Sequence, residues 1–215
     1  MPPMPEHTDI ACLAVLFDCD GVLVDSTADG EAAWRRWAGE YGVDEHRVLD
    51  GLHGRRSPDT VALFLPEHLR AEALARIETI EIAGATGTKP IAGAADLLAS
   101  LPDNWAVVTS ASPALLHARI TAAGLPVPPV VITGTDVGRG KPAPDGYLEA
   151  ARRLGIPITE CVVVEDSVAG VQAGLEAKAL HVLGVGSGHA TFRADSVVED
   201  LADVTWTGKA LRIPA

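Results

Sequence analysis

Cysteine is scarce in this chain. There are three in 215 residues, Cys12, Cys19 and Cys161, an odd number without regular spacing. A disulfide framework is excluded, and because all three lie in or beside apolar runs they read as buried thiols of a reducing cytoplasm. Long hydrophobic runs are missing too: none approaches the ~18 residues of a membrane span. The first nine residues, Met1 to Asp9, are rich in proline and acid and lack a cationic and then apolar export pattern. A soluble cytoplasmic protein is expected. Basic residues are few, 17 Lys and Arg against 29 Asp and Glu for a net charge of −12, which argues against nucleic acid or an anionic membrane as partner. The basic side chains beside any candidate site are informative for the same reason. Neither internal repeats nor low-complexity tracts occur.

What is present is apolar. With 47% hydrophobic and 21% charged residues the chain can bury a sizeable core, and its length suits one α/β core with a smaller insert. Short runs rich in Val and Ile recur at Ile10 to Phe17, Ala106 to Thr109, Val130 to Thr133, Cys161 to Val164, Leu180 to Val185 and Val204 to Thr207. Such runs predict strands buried on both faces of a parallel sheet. Between them Pro113 to Ala123, Asp145 to Leu154 and Val168 to Ala177 have helical spacing, which implies right-handed βαβ units and a doubly wound sheet. Residues 28–89 break the alternation, with helices expected over Ala28 to Tyr41 and Pro66 to Glu81 and no strand. Thr88, Lys89 and Pro90 read as the return linker, leaving 1–27 and 90–215 as the core.

Four polar features follow strand ends, where ligands collect in open α/β sheets. Asp18 and Asp20 flank Cys19 and precede Gly21, so two carboxylates can point to one side of an extended turn while the thiol packs to the other. Thr109 and Ser110 combine hydroxyls with free backbone N–H groups leading into a helix. Lys141 is framed between Gly140 and Pro142. Glu165 and Asp166 follow three consecutive Val residues, and a hard cation with oxygen ligands would offset the cost of that acidic pair. Taken singly, each feature is also what a solvated turn, an ordinary helix cap or an exposed lysine looks like.

In this order the four segments resemble the signatures of the haloacid dehalogenase-like phosphatases, over about Cys12 to Val185. The resemblance implies a Rossmann-like doubly wound core with an inserted α-helical cap at 28–89. It implies Asp18 as nucleophile, Asp20 as acid/base, and Lys141 as the cation contacting phosphoryl group and nucleophile. Thr109 and Ser110 would bind phosphate. A Mg²⁺ ion would be held by Asp166 with the Asp18 carboxylate and the Asp20 backbone carbonyl, Glu165 joining or lying just outside.

Within the insert, His53-Gly54-Arg55-Arg56-Ser57-Pro58-Asp59-Thr60 resembles the cap loop of the branch holding bacterial sugar phosphatases and yeast deoxyglucose-phosphate and glycerol-phosphate phosphatases. Arg55 is expected to reach the substrate, with His53 and Arg56 as lesser candidates; pairing of both Arg residues with surface acids is the alternative. Trp34 and Trp37 read as cap packing, and His181 and His189 receive no role. The implied activity is hydrolysis of a small sugar or polyol phosphate by a monomer. A β-phosphoglucomutase-like phosphotransferase shares the core signatures, but its cap His and Lys fall at Gly30 and Ile80 here, with Lys89 close by. A dehalogenase would have no use for Asp20 or the Glu165-Asp166 pair, and a non-catalytic phosphate-sensing module should lack a signature residue.

Overall fold

The computed structural model describes residues 7–186 and 193–215; His189 lies outside them. The central layer is a six-stranded, wholly parallel sheet. Its strands are β2 (Ala14–Phe17), β5 (Trp105–Val108), β6 (Val130–Ile132), β7 (Cys161–Glu165), β8 (His181–Val185) and β9 (Ser196–Val198), in the order β6-β5-β2-β7-β8-β9. Strand β2 lies between β5 and β7, and the chain winds outward from it first on one side and then on the other. That reversal opens a crevice at the carboxyl ends of β2, β5 and β7.

Side chains alternate along these strands and feed two cores. Val15 and Phe17 of β2 and Val162 and Val164 of β7 join Leu97, Leu116 and Ile120 on one face. Ala14, Leu16, Cys161 and Val163 join Tyr147, Ala150 and Val171 on the other. Helices α5 (Ala94–Ser100) and α6 (Pro113–Ala123) cover the first face, and α7 (Asp145–Leu154) and α8 (Val168–Glu176) the second.

The run from Ile10 to Phe17 is two strands. β1 (His7–Ala11) pairs instead with β11 (Ala210–Pro214) in an antiparallel sheet completed by β10 (Thr205–Trp206). The switch occurs at Leu13, which is exposed and donates its N–H to the Glu160 carbonyl. The Val204 to Thr207 run belongs to this small sheet, so its pairing is antiparallel.

Residues 28–89 hold more helices than the two expected: α1 (Thr27–Tyr41), α2 (Glu45–Leu49), α3 (Ser57–Phe64) and α4 (Glu67–Gly84). They share a core of their own, with Trp34, Trp37, Val48, Val61 and Ile77 buried together. Each such side chain contributes roughly 1.5–3 kcal/mol. Trp34 and Trp37 meet edge to face at 5.2 Å, and the Trp37 indole donates to the Ala73 carbonyl of α4 at 2.9 Å. The chain enters and leaves this helical unit through a two-residue antiparallel ribbon, β3 (Val24–Asp25) against β4 (Lys89–Pro90).

Candidate active site

The alternation along β2 continues past its end. Cys19 is fully buried in the core of Val15 and Phe17, and Asp18 turns to the opposite side. The Asp18 N–H donates to the Val164 carbonyl at 2.9 Å, so its backbone is still held by the sheet. Its Oδ1 accepts from the Cys19 N–H at 2.7 Å and faces the Lys141 ammonium at 2.9 Å. Burial, with the nearby Glu165 charge, pushes the Asp18 carboxyl up to about 7, against the pull of Lys141.

Period two along β7 likewise places Glu165 on the face of Cys161 and Val163. It is completely buried there, and its Oε1 takes the Tyr147 hydroxyl and the Lys141 ammonium, each at 2.5 Å. Its Oε2 accepts from the Ser167 hydroxyl and the Asp166 N–H, both at 3.2 Å. Gly170 makes this possible, since a Cβ there would fall 1.9 Å from the carboxylate. Burial opposes the charge on Lys141, but Asp18 and Glu165 outweigh it and hold the ammonium firmly protonated.

Asp166 closes the group. Its carboxylate lies over Gly21, whose φ of +76° and lack of a Cβ bring the turn after Asp20 against it. Burial and then the Asp18 and Glu165 charges push the Asp166 carboxyl well above the usual range. One oxygen each from Asp18, Glu165 and Asp166 lies within 4.8 Å of the others. Three carboxylates stand here against one ammonium, and that deficit in a hard-oxygen setting suits a divalent cation such as Mg²⁺.

The Asp20 carboxylate takes no part in this cluster. Its Oδ1 accepts from the Ser26 hydroxyl at 2.6 Å and pairs with the Arg119 guanidinium at 2.9 Å. The β5 end contributes two different hydroxyls. Thr109 is buried with Oγ1 accepting from the Ala111 N–H, an internal turn, whereas Ser110 lines the cleft and donates to the Gly54 carbonyl at 2.7 Å.

That last bond ties the loop between α2 and α3 to the end of β5. His53 and Arg55 line the cleft with Asp18, Asp20 and Ser110. His53 faces Glu31 at 3.5 Å, and no carboxylate among the described residues lies within ion-pairing distance of Arg55. Arg56 turns away. It grips Asp59 at 2.7 Å and reaches the Gly134 and Val137 carbonyls of the loop after β6. Of the two arginines, one lines the cleft and the other joins the end of the loop before α3 to the loop after β6. Trp34 packs in the helical core yet also lines the cleft, and His181 meets Ser196 across β8 and β9.

Sequence reading missed Arg119, Glu81, Ser26 and Tyr147. A signal existed for the first two: Arg119 follows Leu115 and Leu116 on the apolar stripe of α6, and Glu81 follows Ile77 at the same spacing on α4. A charge on an inward stripe calls for a partner.

A buried carboxylate, a framed lysine and an acidic cluster stand together at the switch point of a doubly wound sheet, where ligands bind in such folds. The chain belongs to the haloacid dehalogenase-like hydrolase family, whose model matches residues 12–178. It is 40% identical to hexitol phosphatase A of Escherichia coli strain K12 over 91% of this chain and 94% of that one. It is 34% identical to glycerol-1-phosphate phosphohydrolase 2 of Saccharomyces cerevisiae, covering 89% and 80% respectively. Among solved structures, a hydrolase from Pseudomonas syringae superposes with a TM-score of 0.79 at 25% identity, over 88% of this chain and 94% of that one.

Proposed function

We propose that this chain is a Mg²⁺-dependent phosphatase of small sugar or polyol phosphate monoesters, with Asp18 as nucleophile and Asp20 as acid/base. The observation that carries the reading is the state of Asp18: a buried carboxylate whose Oδ1 is occupied by Lys141 and the Cys19 N–H, leaving Oδ2 to attack. Oδ2 displaces the ester oxygen from phosphorus while Asp20 delivers a proton to that leaving oxygen. Asp20 then takes a proton from water as the water oxygen attacks the aspartyl-phosphate, releasing inorganic phosphate and restoring Asp18. Lys141 and Ser110 steady the phosphoryl oxygens. Asp18, Asp166 and the Asp20 backbone carbonyl would hold Mg²⁺, which supplies charge neutralisation to the phosphoryl group. Glu165, with both oxygens engaged, anchors Lys141 from outside that set.

Residues 28–89 are assigned as a cap and 1–27 with 90–215 as the catalytic core, in a cytoplasmic monomer; the three buried, unpaired thiols support a reducing compartment. No helix among the described residues is long and apolar enough to cross a membrane. The names of the two enzyme relatives support a polyol or sugar phosphate as substrate, and Arg55 and His53 are the cap groups placed to meet it. The mutase reading is weakened by two positions: Ile80 is sealed in the cap core, and Gly30 faces Arg119.

Purified protein should hydrolyse p-nitrophenyl phosphate only with Mg²⁺, and Asp18→Asn should abolish turnover. Activity that survives EDTA would sink the metal assignment. A panel of hexitol, hexose and glycerol phosphates, with and without a bisphosphate activator, separates phosphatase from mutase.

A further inference from the structure

Arg119 is a guanidinium with 7% of its surface exposed on a helix of the core, a costly place for a charge unless it is paired. It meets two carboxylates from different parts of the molecule. Nη1 is 2.9 Å from Asp20 Oδ1, and Nη2 is 3.7 Å from Glu81 Oε1 of α4, whose side chain is 8% exposed. Gly30 of α1 lies beside Arg119, a Cβ there coming to 3.9 Å from Nη2, which is an ordinary contact.

We propose that Arg119 is the positioning residue for Asp20, and that Glu81 joins it to the cap, so that seating of the helical unit is felt at the acid/base. This rests on the phosphatase reading above. Ser26 and Arg119 converge on the same oxygen, Oδ1. The carboxyl group can therefore neither rotate nor exchange its two oxygens, and Oδ2 alone carries the proton passed to the leaving oxygen as the P–O bond breaks. The planar guanidinium suits this role, because it can address two carboxylates at once in fixed directions where an ammonium is a single point. Leu115, one turn earlier on α6, packs against Ala85 just beyond α4, so helix and cap meet along more than this one ion pair.

The test uses leaving groups that differ in their need for a proton. Nitrophenolate departs unaided, whereas the alkoxide of a hexitol does not, and kcat/KM reports the steps up to loss of the leaving group. Arg119→Gln should lower kcat/KM for a hexitol phosphate by ~10²-fold, the usual worth of a positioned acid, and that for p-nitrophenyl phosphate by no more than about 5-fold. Arg119→Lys should recover part of the difference. Equal losses on both esters, or no loss on the hexitol phosphate, would overturn the proposal. Should Arg119→Gln fail to fold, judged by its circular dichroism, Glu81→Gln serves. Its longer contact predicts a smaller split in the same direction, and equal losses again overturn it. A wild-type enzyme inactive on both esters would instead remove the phosphatase reading itself.

Discussion

Glu81 illustrates how one buried carboxyl changes its behaviour with its surroundings. Burial pushes it up to about 7, opposed by Arg119, with Asp20 and Glu78 adding like charge and the Trp34 side chain hydrogen-bonding to it. A carboxyl raised above its unfolded value gives stability that is fully present below about 4.5 and is lost as pH rises through about 7. Glu81→Gln cannot ionise, so thermal melts should show wild type losing ground to it between pH 5 and 8, by about 1–3 kcal/mol. Parallel melting curves would count against a raised Glu81. Glu81 left only a faint trace in the sequence, a charge in step with an apolar stripe of α4, because a charged residue on a helix otherwise reads as part of a solvated face. The core signatures were readable for the opposite reason: Asp18, Lys141 and Asp166 stand directly beside strand ends, turns or prolines that fix where their side chains go.

Among the elements, the strands buried on both faces could be read from their continuous apolar runs, and helices α6, α7 and α8 from their helical spacing. Shorter pieces could not. Helix α5 is seven residues, β9 three and β11 five, too few for a pattern to stand out over several periods. The division of Ile10 to Phe17 was hidden because Cys12 is buried and only Leu13 marks the step between sheets. The cap loop has its own anchor in Arg56, whose five hydrogen bonds join Asp59 to the carbonyls of the loop after β6. Arg56→Ala removes that anchor without touching Asp18 or Lys141. KM for a hexitol phosphate should rise by roughly 10-fold, equivalent to about 1.4 kcal/mol of lost loop positioning, with kcat changed less.

For the molecule as a whole the acidic cluster dominates. Without a cation, burial favours protonated Asp18 and Asp166; the stability from Asp18 is present below about 4 and lost as pH rises through about 7, and that from Asp166 is lost only well above the usual carboxylate range. Binding of Mg²⁺ requires them ionised and runs the other way. Added Mg²⁺ should therefore raise Tm more at pH 8 than at pH 5, with the gain in unfolding free energy approaching about 2.7 kcal/mol at a hundredfold excess over Kd. Equal shifts at both pH values would argue that the ion binds elsewhere.

The ribbon of β3 and β4 has a further bearing on how such a molecule changes over time. Facing residues of an antiparallel pair are only about 5 Å apart, a gap that a two-residue turn can close. Val24 faces Pro90 and Asp25 faces Lys89, so everything between them enters and leaves through one doorway. Insertions, deletions or wholesale exchange of the helical unit leave the register of the six-stranded sheet untouched. Such changes reshape the side of the cleft that His53 and Arg55 line, while Asp18, Lys141 and Asp166 keep the positions that the sheet gives them.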